Sequence, residues 1–352
     1  MTLDTRLIDS PEAAQVDGLR LRHWSGPAEL PAMHAIAGAA RAAAGIVESS
    51  SLEAMANEYA HLTNSDPDRD VVIAEIDGRP AAYGRTWWAD RTSGERAFEA
   101  VCFVHPDHQR RGIGRALLAA QDRHRLAQAS SMLASGDLGD RPAILTAYLE
   151  GLAPGGEAML ASRGYRLARR HAEMRRMSLE ELPVLPLPEG IELRGVEPGD
   201  RAAMRRAFEI DAEVFRDHWG DVDDSETAWQ SWLTDPETQP GLWVVAVDRA
   251  SGEVAGQILN YVAPGPDGEP IGWTESIAVR RPWRRRGLAS AMLAASLRRV
   301  RDAGAASAAL GVDLENEHRA SAIYERLGFR VTVEHLEFHR RLEPAEIEEA
   351  AR

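Results

Sequence analysis

Two short segments of the chain combine arginine or glutamine with glycine at a spacing that suits anion binding. They span residues 104–114 and 279–289, and each joins an apolar, strand-like run to a helix-forming run. The first turn of a helix leaves its backbone N–H groups unpaired and carries a partial positive charge. The segments therefore predict two anion sites, and the arginines at 284–286 suit a pyrophosphate.

The two segments share one pattern of residue types when they are aligned on their glycines. The pattern is Arg or Gln, two residues, Gly, one residue, then Gly or Ala. It is carried by Gln109, Gly112 and Gly114 in one copy and by Arg284, Gly287 and Ala289 in the other. It resembles the acyl-coenzyme A signature of the GNAT N-acetyltransferase superfamily.

A second motif follows the later segment. Asn316 precedes a helix-forming run that carries Tyr324 and ends in Gly328-Phe329. This arrangement resembles the later motif of the same superfamily, so the resemblance covers nearly the whole chain as a tandem pair. The two-domain architecture is similar to that of mycothiol synthase, a member of the superfamily.

The resemblance implies which residues hold acetyl-CoA as a co-substrate. The pyrophosphate is expected on the later turn, and the pantetheine arm is expected to pair with the preceding strand like an added strand. The implied contacts in the C-terminal half are Ile277, Ala278, Val279, Arg284, Arg285, Arg286, Gly287, Leu288, Ala289, Ser290 and Asn316. Those in the N-terminal half are Val104, Gln109, Arg111, Gly112 and Gly114.

Tyr324 is the candidate general acid for the leaving thiolate. A phenol with an ordinary pKa near 10 can protonate a thiolate when the geometry is right. Helical spacing with Ala320 and Leu327 would also fit an aromatic residue in the core, but the position in the motif favours the acid role. Asn316 has two alternatives, a helix cap or a polar contact to the coenzyme, and one amide could do both.

Glu275 is the candidate base or substrate contact. Strand alternation predicts Glu275 and Ile277 on one face, with Thr274 and Ser276 on the other. A carboxylate within an apolar strand is costly unless it faces a wet cleft or is paired, and partial burial would raise its pKa. The resemblance to mycothiol synthase implies substrate contact; a salt-bridged carboxylate at an edge is the alternative.

An acidic segment at residues 211–224 holds six carboxylates and one arginine. In the superfamily fold this region lines the acceptor side, so Asp217 and Trp219 are candidate substrate contacts, with Trp219 able to stack on an amine or a sugar. A solvated acidic loop in which Asp224 or Ser225 caps the next helix fits the sequence equally well.

Repeated patterns outside the motifs predict the fold class. Hairpin patterns at 71–85 and 243–261 turn at Asp77-Gly78 and Ser251-Gly252. We expect an α+β (mixed α/β) protein with two GNAT-like domains, each a twisted, mostly antiparallel sheet flanked by helices. A proline-rich stretch predicts the division into domains 1–182 and 190–352 with a linker at 183–189.

The two halves diverge near the predicted chemistry. Between its Arg/Gly turn and its closing glycine the N-terminal half has eleven more residues, expected after its fifth strand. Counting back from the closing glycines places Leu160 where the other half has Tyr324, and no amide matches Asn316. The N-terminal domain is therefore interpreted as degenerate and the C-terminal domain as catalytic.

Composition excludes several other classes of protein. With 352 residues and 44% hydrophobic content the chain suits a soluble protein of two domains. A formal net charge of −14 argues against a nucleic-acid binder and favours a cationic partner. No apolar run approaches about 20 residues, and the start lacks the features of a signal peptide, so a cytoplasmic protein without membrane contact is expected.

Cysteine, histidine and lysine usage adds three expectations. The single Cys102 excludes an internal disulfide and suits a buried structural thiol. The histidines show no metal-ligand spacing, so no metal is expected. All 41 basic residues are arginine, which together with the abundant alanine and glycine indicates a GC-rich bacterial genome.

The function predicted from these residues is acetyl-CoA-dependent N-acetylation of a small amine by direct transfer in the C-terminal domain. The acceptor stays open between an amino sugar or thiol-precursor amine, an amine-bearing antibiotic and a peptide amine. The alternative is a non-catalytic acyl-CoA sensor or partner-binding protein. Retention of both Asn316 and Tyr324 favours the enzyme.

Overall fold

The computed structural model describes residues 7–46, 50–216, 218–316 and 320–350. Its strands are β1 (Leu7–Ile8), β2 (Leu19–His23), β3 (Val71–Ile76), β4 (Arg79–Asp90), β5 (Arg96–Val104), β6 (Ala143–Glu150), β7 (Arg166–Arg176), β8 (Ile191–Arg194), β9 (Val244–Asp248), β10 (Val254–Pro264), β11 (Pro270–Val279), β12 (Ser307–Asp313) and β13 (Arg330–Arg341). Its helices are α1 (Leu30–Ala43), α2 (Leu52–Ala60), α3 (Pro67–Asp70), α4 (Ile113–Ser135), α5 (Gly156–Ser162), α6 (Arg201–Phe215), α7 (Glu226–Thr234), α8 (Leu288–Asp302), α9 (Ala320–Arg326) and α10 (Pro344–Glu349).

These elements form two compact units. The first comprises Met1–Arg169 together with Leu336–Arg352, and the second comprises Arg170–His335. The chain passes from the first unit to the second within β7 and returns within β13. Residues 170–176 of β7 therefore belong to the second unit, and residues 336–341 of β13 belong to the first.

The sheet of the first unit runs in the order β1 to β6. Neighbouring strands are antiparallel up to β5, and β5 and β6 are parallel. Helices α1 and α2 cover one face, with Met33 and Met55 in a cluster that includes Tyr83. Helix α4 covers the other face through Ile113 and Leu117.

The returning C-terminal segment completes the core of the first unit. Phe338, Leu342 and Ile347 pack in one cluster with Leu145 and Leu160, and the Leu342 N–H donates to the Ala143 carbonyl at 2.9 Å. Burial of these apolar side chains removes them from water, which stabilises the segment in this position.

A buried ionic network also fixes this segment in the first unit. Arg91 lies 2.6 Å from Glu99 and 2.9 Å from Glu337, and all three side chains are almost fully buried. Tyr148 donates to the same Glu99 carboxylate at 2.8 Å. Removing one partner would leave a buried charge uncompensated, so the network specifies which strand occupies this place.

The second unit repeats the plan. Strands β8 to β11 are antiparallel neighbours, β11 and β12 are parallel, and β12 pairs antiparallel with β7. Helices α6 and α7 cover one face through Met204 and Trp229. Helix α8 covers the other through Met292 and Leu297. The predicted α+β class, with mostly antiparallel strands flanked by helices, is confirmed in both units.

The predicted hairpins form as expected. Asp77 and Gly78 join β3 to β4 with φ of 51° and 77°, and both values are left-handed, as a two-residue hairpin turn requires. Gly252, with φ of 74°, lies in the turn between β9 and β10. Local turn chemistry therefore positions the central strands of both units.

Residues 183–189, predicted as the linker, contain neither helix nor strand. Leu185 and Leu187 pack against the core of the second unit, and Arg298 donates to the Pro183 carbonyl at 2.8 Å. The compact units thus do not divide at this stretch. Independent folding of domains 1–182 and 190–352 stays a prediction.

The two-residue β1 was not among the predicted strands, so the predicted fifth strand is β6. The eleven extra residues of the N-terminal half lie before β6, not after it as predicted. Helix α4 has 23 residues where α8 has 15, and the turn that follows α4 is also longer. From the first residue of β6 to Gly164, and from that of β12 to Gly328, the spacing is the same. The prediction was wrong because helical residues can be added at the far end of α4 without disturbing its first turn.

Candidate active site

The two predicted anion sites have the same backbone conformation. Arg110 and Arg285 adopt left-handed φ values of 61° and 62°. Two residues later, Gly112 and Gly287 cap α4 and α8 with φ of 91° and 81°. Left-handed residues in a turn can direct neighbouring N–H groups toward one side, where they form a nest for an anion. In each unit this turn lies at the positive end of a helix.

The space around Gly287 is open. A Cβ atom at Gly287 would meet no other atom within 4 Å, and Arg285, Arg286 and Gly287 are exposed. Leu288 is buried against the core and fixes the start of α8, so Ala289 and Ser290 follow within its first turn. An anionic group can therefore approach these backbone N–H groups directly.

Arg284 and Gln109 brace their loops in the same way. The Arg284 Nε donates to the carbonyl of Val279, the last residue of β11, at 2.8 Å. The Gln109 Nε2 donates to the carbonyl of Val104, the last residue of β5, at 3.1 Å. The first position of the motif therefore holds the turn to the strand end, which explains why Arg and Gln both occur there.

This equivalence predicts the effect of two substitutions at Arg284. Arg284→Gln should keep the brace, as Gln109 does, and leave the melting temperature nearly unchanged. Arg284→Ala should lose a hydrogen bond from a charged donor, at a cost of about 1.5–3 kcal/mol, and should weaken acetyl-CoA binding more than the Gln variant. Thermal unfolding and calorimetric titration measure both effects. Equal losses in the two variants would contradict the bracing role.

The parallel strand pair of each unit separates part-way along its length. Strands β11 and β12 pair from Ile271↔Ser307 to Thr274↔Leu310 and then part, although β11 continues to Val279. Strands β5 and β6 part after Phe98↔Leu145. The backbone of Ile277 to Val279 therefore lies on an open strand edge, where an extended ligand can add hydrogen bonds.

A β-bulge distinguishes β11 from β5, and Glu275 is its extra residue. Leu259 of β10 pairs with Ser276 and the next residue, Asn260, pairs with Thr274. The pairing of β4 with β5 has no such irregularity between Ala82↔Val104 and Asp90↔Arg96. Bulges re-aim side chains and often lie next to functional sites.

The predicted strict alternation around Glu275 is wrong because of this bulge. Thr274 donates to Asn260, which also accepts from Ser296 on α8. Ser276 instead donates to Asp211 on α6, so Thr274 and Ser276 contact opposite layers. Glu275, between them, is exposed. The structure thus places this carboxylate at the point where β11 parts from β12.

Tyr324 is buried, with 9% of its surface exposed. Removal from water raises the pKa of its phenol to about 12, so the hydroxyl stays protonated throughout the physiological range. Its ring packs edge-on against Phe329. Among the described residues the hydroxyl has no hydrogen-bond partner, which leaves its proton available to a ligand.

Leu160 occupies the equivalent position in the first unit. The Tyr165 N–H donates to the Leu160 carbonyl at 3.1 Å, and the Phe329 N–H donates to the Tyr324 carbonyl at 3.0 Å. These matching bonds support the alignment of the two helices. Asn316 is partly buried before α9, but the residues that join it to α9 lie outside the described ranges, so both of its predicted roles stay open.

The acidic segment is not a single loop. Asp211 and Glu213 belong to α6, Ser225 caps α7 by accepting from the Ala228 N–H at 3.1 Å, and Trp219 lies between the helices with about a third of its surface exposed. Asp217 lies outside the described residues. The segment therefore contains the helix cap that one alternative predicted and the exposed tryptophan that the other requires.

The first unit contains a cavity of about 940 Å³ beside its Arg/Gly turn. Gly112, Gly114 and Leu160 are among the residues that line it. Arg110 also lines the cavity and donates to the Pro154 carbonyl at 2.7 Å. Arg111 contacts His108 at 3.1 Å. The first unit thus keeps room for a ligand, but it has neither the bulge nor a tyrosine at position 160.

Cys102 lines the same cavity and is partly buried. Desolvation raises the pKa of its thiol to about 11, so it is not an activated nucleophile. In the described part of the chain no three His, Cys, Asp or Glu side chains are grouped so that they could hold a metal ion. No helix among the described residues is long and apolar enough to cross a membrane.

Comparison with known proteins agrees with this geometry. The sequence profile of the acetyltransferase (GNAT) family matches residues 38–140 and 204–329. The chain belongs to the GNAT family of acetyltransferases. The matched regions include both Arg/Gly turns, and the second also includes Tyr324 and Phe329.

Proteins similar to this chain over most of its length are acetyltransferases. A mycothiol acetyltransferase of Salinispora arenicola is 29% identical over 78% of this chain and 82% of its own. One from Saccharomonospora viridis is 31% identical over 75% and 77% of the two chains. The structure of a GCN5-related N-acetyltransferase from Sphaerobacter thermophilus has a TM-score of 0.67 at 25% identity and covers 93% of this chain and 97% of that one. These relatives support N-acetyltransferase activity.

A tandem GNAT protein from the clavulanic acid biosynthesis pathway shares the fold. Its structure has a TM-score of 0.65 at 18% identity and covers 93% of this chain and 99% of that one. The predicted fold family and its tandem arrangement are thereby confirmed.

The buried position of Asp211, which accepts a hydrogen bond from Ser276, was not predicted from the sequence. Burial raises the pKa of its carboxyl to about 6, although hydrogen bonds from Ser276 and Gln257 act in the opposite direction. A signal was present in the sequence. Ala207 and Val214 lie one turn away on α6 and are buried, so helical spacing already placed this carboxylate on the apolar face.

Proposed function

We propose that the second unit transfers the acetyl group of acetyl-CoA to a primary amine of a small molecule by direct attack in a ternary complex. The observation that carries the proposal is the buried Tyr324 hydroxyl. It is kept protonated by desolvation, without an acceptor among the described residues. Its helix follows the strand pair that opens beside the Arg/Gly turn.

The coenzyme is held by backbone groups in this proposal. Its pyrophosphate lies on the N–H groups of residues 286–290, at the open turn around Gly287. Its pantetheine arm pairs with Ile277 and Val279 on the free edge of β11, and Asn316 supplies a polar contact. The thioester then lies near the bulge, where β11 and β12 part.

Proton transfer completes the reaction. The amine nitrogen forms a bond to the thioester carbon while the bond from carbon to sulfur breaks. Tyr324 gives its proton to the departing sulfur and is then reprotonated, since a phenol with a pKa of about 12 is almost fully protonated at neutral pH. Glu275, exposed at the bulge, contacts the acceptor or takes a proton through water.

The acceptor class follows from the acidic side of the second unit and from the relatives. The carboxylates after α6 favour a cationic molecule, and the exposed Trp219 offers a face on which an amine or a sugar can stack. Asp217 is retained as a proposed contact. Because similar chains are mycothiol acetyltransferases, an amino sugar or thiol-precursor amine is the preferred acceptor class.

The first unit has a different proposed function, the binding of an acyl-CoA without catalysis. Three observations favour it: its cavity of about 940 Å³, the regular pairing of β5, and Leu160 in place of a proton donor. Val104, Gln109, Arg111, Gly112 and Gly114 are the proposed contacts there. A sensor or partner-binding role for the whole protein would extend this function to both units.

Thiol release from acetyl-CoA across a panel of amines tests the proposal. The panel should include an amino sugar, a cysteine-linked amino sugar, an aminoglycoside and a peptide amine. We expect release that depends on the amine and is largest for the cysteine-linked amino sugar. Binding of acetyl-CoA without release for any amine would instead support the non-catalytic function.

A further inference from the structure

Asp211 is a largely buried carboxylate that has no cationic partner among the described residues. It lies on the inner side of α6 and accepts a hydrogen bond from Ser276, which is 4% exposed. Its neighbours one turn away on the helix, Ala207, Phe208 and Phe215, are uncharged. Among the described residues Asp211 forms no salt bridge, and an unpaired buried charge costs free energy unless function requires it.

Gln257 provides the second half of this arrangement. It is 1% exposed, and its Nε2 donates to the Ala207 carbonyl at 2.7 Å. Its amide also stabilises the charged form of Asp211. Its Oε1 is buried and has no hydrogen-bond partner among the described residues. Gln257 thus offers a donor to a carboxylate and an acceptor to a carboxylic acid, which suits a neighbour that changes its protonation state.

No charged side chain among the described residues pairs with Asp211. Strand β10 carries no charged residue, and β11 carries only Glu275, which is exposed. Among the described residues of α6, α7 and the segment between them, ion pairs join Glu209 and Glu226 to Arg205, Glu213 to Arg280, and Asp224 to Arg216. The other arginines of α6, Arg201 and Arg206, are exposed. The counter-charge of Asp211 is therefore expected to come from a ligand.

The position of Asp211 indicates which ligand. Its partner Ser276 directly follows Glu275, the bulged residue at which β11 leaves β12. In the proposed function the thioester lies at this point. Asp211 approaches from the α6 layer, opposite to α8, whose first turn is the proposed pyrophosphate site. A cation held there would reach the thioester from the face that the coenzyme leaves free.

We propose that Asp211, with Ser276, is the subsite that binds the ammonium group of the acceptor and takes its first proton. The substrate class is then a primary alkylammonium, an inference that rests on the proposed function. One N–H bond of the ammonium breaks and its proton goes to the Asp211 carboxylate. The freed lone pair forms the C–N bond as the C–S bond breaks. Tyr324 protonates the sulfur, and the second proton lost by the nitrogen restores the Tyr324 hydroxyl.

The matched variants Asp211→Asn and Ser276→Ala test the proposal. In Asp211→Asn, kcat/KM for the amine at pH 7 should fall at least about 100-fold, with the affinity for acetyl-CoA unchanged. The wild-type profile should have an acidic limb near the Asp211 pKa of about 6. In Ser276→Ala this limb should move to higher pH, because the carboxylate loses a hydrogen bond that favours its charged form.

Thermal stability separates this role from a structural one. The folded pKa of about 6 lies above the reference value of 3.8, so the folded state loses stability as pH rises from about 4 to about 6. Asp211→Asn escapes this loss. It should melt higher than the wild type at pH 8, and the difference should disappear by pH 4.

Each result of these measurements decides the assignment. An Asp211→Asn variant that melts lower at pH 8, or that keeps full amine turnover, would overturn it, and an acidic limb unmoved in Ser276→Ala would do the same. A wild-type protein that releases no thiol with any amine would overturn the proposed function itself, together with this subsite. Undiminished release in Asp211→Asn would overturn the subsite alone.

Discussion

Gly287→Glu should abolish acetyl-CoA binding and turnover in the second unit. A side chain at this position extends into the open space over the first turn of α8, where the proposed pyrophosphate binds. Two like charges about 4 Å apart repel by about 4 kcal/mol at an effective dielectric constant of 20, which corresponds to roughly a thousandfold in affinity. The left-handed φ of 81° adds about 1–2 kcal/mol of strain for any side chain.

Two controls separate charge from strain and one unit from the other. Gly287→Ala carries the same backbone strain without the charge and should retain measurable binding. Gly112→Glu places the same charge at the equivalent site of the first unit, where a Cβ atom would lie 3.1 Å from Val16, and should leave turnover largely intact. Calorimetry in the Gly112→Glu background isolates the second site. Unchanged affinity there after Gly287→Glu would show that the coenzyme binds elsewhere.

The same pair of variants tests the division of labour between the units. A folded Gly112→Glu protein without activity, beside an active Gly287→Glu protein, would reverse the assignment and make the first unit the enzyme. The expectation of an inactive first unit rests on Leu160 and on the regular register of β5. Leu160 cannot donate a proton, and the regularly paired β5 has no bulge to re-aim a side chain at the strand opening.

Features set by local chemistry were predictable from the sequence. Asp77-Gly78 specified a hairpin turn because both residues tolerate left-handed φ. The Arg/Gly turns specified helix starts because Gly112 and Gly287 can take the left-handed N-cap conformation. In each case the residue that decides the structure lies within a few positions of its effect.

Features that depend on distant pairing were not predictable in this way. The bulge at Glu275 arises from the register between β10 and β11, and alternation along one strand cannot reveal an extra residue. The passage of the chain between units within β7 and β13 depends on partners far away in sequence. Helical spacing placed Asp211 on the apolar face of α6, but the acidic residues that follow it in the sequence suggested a loop.

Tyr324→Phe should lower turnover by roughly 10²–10⁴-fold, the range expected for loss of a general acid. The affinity for acetyl-CoA should stay nearly unchanged, because the ring that packs on Phe329 remains. Stability should also change little, since no described residue accepts a hydrogen bond from the hydroxyl and its loss leaves no acceptor unpaired. Steady-state rates, coenzyme titration and thermal unfolding give the three readouts.

The pH profile provides an independent check on Tyr324. Because desolvation raises the pKa of its phenol to about 12, the hydroxyl stays protonated well above neutral pH, and Tyr324 should cause no basic limb below about pH 11. Tyr83→Phe in the first unit is the matched control, since Tyr83 is also buried and lies outside the proposed chemistry; it should keep full turnover. Full turnover in Tyr324→Phe would mean that the thiolate leaves without help from this phenol, and Tyr324 would then be only a core residue.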